Sequence, residues 1–297
     1  MPRSDHPVLP LLAAVLAIGL LSWMDAFMKN ASLAVGAYSA LLLRAPLGFA
    51  VAFPAWRLSG GKWPARPALR IHLVRGVVVA VMGFLFFYGL TFLPLAQAIA
   101  ISFVAPLIAL FLAAVLLGEK IGRRVIIGAL LGLVGVLVIL AGKILRETMT
   151  GNAPLGIAAV LGSALLYAWN LVLQRQQALV AKPLEVVTFQ SAISFLVLIW
   201  FAPFFLVWPD AGAWRDIGIS TLLSYSGAML LTWAYARAET QRLAPLEYTG
   251  FLWAVLFGWL FFGEAVSIST TAGAMLIVAG CWIATRGKPP EPEQTAL

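Results

Sequence analysis

The sequence predicts an all-α polytopic membrane protein: ten transmembrane helices arranged as two inverted five-helix repeats. Three observations predict it. Of 297 residues, 62% are apolar and 11% charged, against roughly 25% charged in a soluble chain. Apolar runs of about 18 residues or more recur along the chain, each long enough as a helix to cross a ~30 Å hydrocarbon layer. A pattern in the first half also returns in the second at a constant offset of 145 residues.

Charge, Pro and Gly punctuate these runs and set the expected spans in order. Span 1, 8–28, ends before Lys29, and span 2, 35–56, before Arg57. Span 3, 71–91, follows Arg70. Span 4, 94–117, runs from Pro94 to Gly118-Glu119, and span 5, 123–142, from Arg123 to just before Lys143. Span 6, 154–175, lies between Pro154 and Arg175, and span 7, 186–207, follows Glu185. Span 8, 217–236, sits between Asp216 and Arg237. Span 9, 243–262, ends at Gly263-Glu264, and span 10, 267–286, closes on Arg286.

Composition also excludes several function classes. Barrel strands alternate apolar and polar positions, whereas Val125 to Ala141 is apolar on every face. The net charge of +8 comes from basic residues scattered singly between apolar runs, so it forms no stripe for nucleic acid. The first run is too long for the apolar core of a cleaved signal peptide. A single cysteine, Cys281, excludes an internal disulfide and reads as a small packed residue. His6 and His72 are far apart, so no zinc cluster is expected. No phosphate-binding loop or cofactor motif is present, no catalytic constellation has credible spacing, and the loops leave no room for a nucleotide-binding domain.

Lys and Arg set the orientation. Loops on one side hold fifteen of them, including Arg57, Lys62, Arg66, Arg70, Arg75, Lys120, Arg123 and Arg124. The other side holds four, Lys29, Lys143, Arg146 and Arg215. Both termini are therefore expected in the cytoplasm.

The repeat is specific in its residues. Gly118-Glu119, Gly128 and Gly135 return as Gly263-Glu264, Gly273 and Gly280, and Ser22, Trp23 and Asp25 return as Tyr167, Ala168 and Asn170. Five spans per copy make the second enter the membrane from the opposite face, the arrangement in which a midplane site can open to either side. The division expected is 1–147 and 148–297. Glu119 and Glu264, at opposite faces, read as an anchor pair. Gly128, Gly132 and Gly135 share one face of span 5 and permit close helix packing, with self-association into a homo-oligomer as a second use of that face.

These motifs resemble the EamA repeat of the drug/metabolite transporter superfamily, one copy carrying Tyr88 to Leu140 with Pro106 in mid-helix, the other Trp233 to Thr285. Within it the chain is most similar to bacterial exporters of aromatic amino acids. The resemblance implies a bacterial inner-membrane exporter of a small molecule, without cofactor, whose spans 1, 3, 4, 6, 8 and 9 surround a central cavity. One departure is that Pro106 maps to Phe251, while the second copy has Pro245 earlier.

Polar residues inside hydrocarbon are costly and should face protein or water. On span 6, Ser163, Tyr167, Asn170 and Gln174 follow 3.6-residue spacing, and the matching face of span 1 reads Ile18, Ser22, Asp25 and Lys29. Such stripes line hydrated cavities or bond helix to helix, and either use fits. Asp25 and Arg44 fall at similar depth; they either form an ion pair or hold the ammonium and carboxylate of a zwitterion, and Asp25 is also a candidate proton acceptor. Phe84, Tyr88 and Thr91 on span 3, and Ser220, Ser224 and Leu231 with Trp233 on span 8, suit a solute with a ring and a polar end. Packing is the alternative for each. Gln97 and Ser102 on span 4, and Glu247 and Tyr248 on span 9, complete the substrate-binding candidates.

Overall fold

The first helix, α1, runs Leu9–Leu58 and would be about 75 Å long if straight, more than twice the hydrocarbon thickness. It breaks at Gly36, whose φ of 81° and ψ of 149° lie outside the helical region and are open only to glycine. Arg44 Nη1 donates to Met24 Sδ at 3.0 Å. On one continuous helix those residues would stand about 30 Å apart, so the arms fold back on each other as spans 1 and 2.

This computed structural model describes residues 8–93, 95–102, 122–144, 153–263 and 268–285, with 105, 108, 109, 112, 115 and 116 between them. Pro106, Glu119, Glu264 and both termini lie outside the described residues, as do the side chains of Gln97 and Cys281. Every regular element among the described residues is helical. The elements are α2 (Arg66–Leu90), α3 (Leu95–Ser102), α4 (Arg123–Ile144), α5 (Ala153–Val180), α6 (Pro183–Leu198), α7 (Ala211–Arg237), α8 (Thr249–Phe262) and α9 (Ile268–Thr285).

Local chemistry sets the boundaries. Pro67 and Pro183 sit in the first turns of α2 and α6, where a missing N–H costs nothing; α2 therefore starts five residues before the expected 71. The Asp210 carboxylate caps α7, accepting from the Ala213 amide at 2.7 Å. Gly263, at φ 65°, closes α8 in the left-handed conformation. The expected ninth span is not one helix, because the stretch with Pro245, Ala244–Tyr248, is a 3₁₀ turn that α8 then continues.

Five described stretches are long and apolar enough to cross a membrane, and α1 alone holds two arms. Large apolar side chains such as Leu165, Trp200, Phe204 and Ile268 face outward, while Ser39, Asn170, Gln177 and Ser220 are buried. This inversion of the soluble pattern is what a lipid solvent requires.

Packing follows the repeat. α2 packs on α5, and the first arm of α1 packs on α7; α4 packs on α9, and the second arm of α1 on α6. Exchanging the halves turns the first pair into the second and leaves the other two unchanged. Small residues allow these approaches: a Cβ on Gly89 of α2 would lie 2.9 Å from the Gly156 carbonyl oxygen of α5, and one on Gly227 of α7 3.2 Å from that of Ala17. The glycine face of α4 is used within the chain, since Gly128 meets Gly280 of α9 and Gly132 meets the Tyr248 ring.

Candidate functional site

At the centre of the bundle lies a cavity of about 230 Å³, walled by both arms of α1 and by α2, α3, α5, α6, α7 and the start of α8. Much of its wall comes in pairs 145 residues apart: Ile18 and Ser163, Ser22 and Tyr167, Asp25 and Asn170, Val79 and Ser224, Gly83 and Ala228, Phe86 and Leu231, Ser102 and Glu247. The backbone positions match while the chemistry often does not: Ile18 corresponds to Ser163, Val79 to Ser224, Asp25 to Asn170 and Ser102 to Glu247, whereas Gly83 with Ala228 and Phe86 with Leu231 are apolar on both sides. A solute in this cavity meets different walls from the two halves.

The acids are Asp25 and Glu247, the cations Arg44 and Arg75. Glu247 is held where the 3₁₀ turn gives way to α8; its Oε2 accepts from the Tyr167 hydroxyl at 2.5 Å, joining α5 to the ninth span. Its Oε1 is buried without a hydrogen-bond partner among the described residues. Asp25 is half-buried on the wall, with no hydrogen bond or ion pair among the described residues. Of the alternatives for Asp25 and Arg44, the ion pair does not form: Arg44 donates to Met24 Sδ, and its guanidinium carbon lies 5.9 Å from the centre of the Phe87 ring. Two carboxylates therefore face the cavity with acceptor capacity to spare.

Arg75 is the residue that sequence reasoning assigned elsewhere, as a loop charge. It is 5% exposed, about two and a half turns into α2, and lines the cavity. Its Nε donates to Asn170 Oδ1 at 2.9 Å, Nη1 to Gln177 Oε1 at 2.6 Å and Gln190 Oε1 at 3.1 Å, and Nη2 to Gln174 Oε1 at 3.0 Å. Beside it His72, stacked on Phe189, contacts Gln177 Nε2 at 2.6 Å and Glu185 Oε1 at 3.0 Å. The network ties α2 to α5 and α6.

Of the expected substrate-binding residues, the structure brings Ser22, Asp25, Arg44, Tyr167, Asn170, Ser224 and Glu247 together on the wall. Phe84 and Tyr88 are off it, stacked on each other at 5.8 Å with Phe92 beyond Tyr88. The wall uses Phe86 and Phe87 instead; two residues along a helix is a rotation of about 200°. Trp233 lies beneath the Arg237 guanidinium, 4.2 Å from its ring centre, and Tyr248 is fully buried against α4; neither lines the cavity. Gln97 is on α3. Lys29, the last member of the span 1 stripe, donates to the Leu93 carbonyl at 3.2 Å rather than facing the cavity. Spans 2 and 7 join the six expected around the cavity, through Arg44 and Gln190. Among the described residues no three His, Cys, Asp or Glu side chains are grouped to hold a metal.

The EamA-like transporter family matches the chain twice, at residues 8–141 and 154–286. The pseudopaline exporter CntI of Pseudomonas aeruginosa is 30% identical over 288 residues, covering 93% of this chain and 96% of the relative. The aromatic amino acid exporter YddG of Ancylobacter novellus is 27% identical over 75% of this chain and 76% of its own length, and a riboflavin transporter of Brucella anthropi 24% over 70% and 73%. A solved crystal structure, 23% identical, superposes with a TM-score of 0.76 over 96% of this chain and 99% of its own, a likeness of fold. The chain is a multi-pass membrane protein and belongs to the EamA-like transporter family.

Proposed function

We propose that this protein is a bacterial inner-membrane secondary transporter or facilitator that exports a small amphipathic metabolite by alternating access. Ten spans form two inverted repeats, 1–147 and 148–297, with both termini in the cytoplasm. The observation that carries this reading is the central cavity, much of whose wall is paired across the two halves. Two matching halves of opposite sense can exchange conformations, so the cavity opens to one side and then the other. Acids and cations on the wall bind the polar end of the solute, while Phe86, Phe87 and Leu231 take its apolar part.

Aromatic amino acids are the favoured solutes. Support comes from the resemblance of the sequence, from the YddG relative, and from the rings of Phe86, Phe87 and Tyr167 on the wall. The pseudopaline and riboflavin relatives keep a second reading open, export of another metabolite built from a polar and an apolar part. In proteoliposomes, an uptake screen over Trp, Tyr, Phe, other amino acids and nucleobases, with and without a pH gradient, separates the two. Failure to move any aromatic amino acid ends the favoured reading. Counterflow of labelled against unlabelled solute accelerates uptake in a carrier; a response indistinguishable from simple diffusion contradicts alternating access and favours a passive channel.

A further inference from the structure

Arg75 and Arg44 differ in what surrounds them. Arg44 has the Asp25 carboxylate as an electrostatic neighbour. The oxygens hydrogen-bonded to Arg75 all belong to neutral amides, those of Asn170, Gln174, Gln177 and Gln190, and its electrostatic neighbours are the phenols of Tyr167 and Tyr235. The nearest acid in its network, Glu185, is engaged by His72. A guanidinium offers five N–H groups, and these four bonds leave one on Nη2.

A cation held in a low-dielectric interior without a counter-anion is costly. Four amide dipoles solvate it partly and fix its plane, which is the preorganisation that makes a binding group effective. The N–H that remains on Nη2 can donate one charge-assisted hydrogen bond to a carboxylate oxygen. Asn170 and Gln174 line the same cavity as Arg75, so an anion arriving there meets a positioned cation instead of one that must be ordered.

Resting on the transporter reading, we propose that Arg75, in its cradle of amides, is the anion subsite of the cavity and takes the carboxylate of the transported solute. The matching positions of the other half cannot do this: 145 residues on from Arg75 stands Ser220, buried and donating to the Ile217 carbonyl. The anion-holding end is thus confined to one half, and the solute binds in one orientation, its carboxylate toward α2, α5 and α6.

The test is equilibrium binding to the purified full-length protein of carboxylates and their uncharged amides. The probes are L-tryptophan with L-tryptophanamide, indole-3-propionate with its amide, and L-leucine with L-leucinamide. Wild type is expected to prefer at least one carboxylate over its amide by about ten- to a hundred-fold, the range of a charge-assisted hydrogen bond. Arg75→Gln brings that ratio to within about two-fold. Asn170→Asp does the same without removing a buried group, because it supplies Arg75 with an internal carboxylate of the same shape. A ratio that persists in both variants, or a wild type that binds no carboxylate better than its amide, overturns the proposal. Arg75-dependent preference for leucine with none for the indole probes upholds the anion subsite and ends the aromatic reading. Tight tryptophan binding indifferent to both variants does the reverse.

Discussion

Gly280→Ala tests the closest seam in the bundle. A Cβ at this position of α9 would lie 2.5 Å from the Gly128 carbonyl oxygen, 3.0 Å from the Gly132 nitrogen and 3.2 Å from Leu131 Cβ of α4. Two of these are backbone atoms of an intact helix and cannot swing aside. Restoring contact at about 3.5 Å requires the helices to part by about 1 Å, which loosens the whole glycine face. Overpacking of this kind costs about 1–3 kcal/mol. Alanine also favours helix over glycine by roughly 1 kcal/mol, so a control is needed. Gly218→Ala in α7 supplies it, because nothing lies within 4 Å of a Cβ there. Thermal unfolding of the purified protein, followed by the emission of its 11 Trp residues, reads the difference. Gly280→Ala is expected to melt below Gly218→Ala by on the order of 5 °C. Equal melting temperatures would refute the claim that α4 and α9 touch backbone to backbone.

Other perturbations probe the cavity and the hairpin. Tyr167→Phe removes the hydrogen bond that the Glu247 carboxylate accepts among the described residues and should cost about 1–3 kcal/mol of stability; a double-mutant cycle with Glu247→Gln should show coupling, whereas additive effects would mean the two do not act together. Asp25→Asn, which cannot titrate, should abolish any acceleration of transport by a pH gradient, and an unchanged response measured in proteoliposomes removes Asp25 as the coupling group. Gly36→Ala places a Cβ in a backbone region closed to other residues at a cost of about 1–3 kcal/mol; a melting temperature equal to wild type would show that the α1 arms join differently.

How much was legible in the sequence depended on which periodicity carried the signal. The stripes of spans 1 and 6 were visible because polar residues in an apolar run stand out, and Ser22, Asp25, Tyr167 and Asn170 do line the cavity. Span 3 failed because its cavity face is mostly apolar. Phe84 and Tyr88 marked a face by their chemistry, while the wall runs through Arg75, Val79, Phe86 and their neighbours. The offset held the missing signal: Ser220, Ser224 and Leu231 of span 8 map onto Arg75, Val79 and Phe86, and of the three Ser224 and Leu231 line the cavity while Ser220 donates to the Ile217 carbonyl. Arg75 was instead counted with the loop charges although it falls inside the expected span 71–91, because a basic residue near the end of an apolar run ordinarily reports orientation; α2 in fact begins at Arg66, with Pro67 in its first turn. The break at Glu247 was equally hidden, because Pro245 is compatible with a helical first turn and only tertiary context makes the stretch 3₁₀.

The most direct test of the central claim is two-sided labelling of the cavity. In a background with Cys281→Ser, single cysteines at Ser22 and Ser224, from the two halves, are exposed to a membrane-impermeant thiol reagent applied from the outside or from the inside. Alternating access predicts that both positions react from both sides, with outside and inside rates moving in opposite directions when transported solute is added to one face. Labelling from a single side under every condition, or from neither, would contradict a cavity that opens in turn to each face of the membrane.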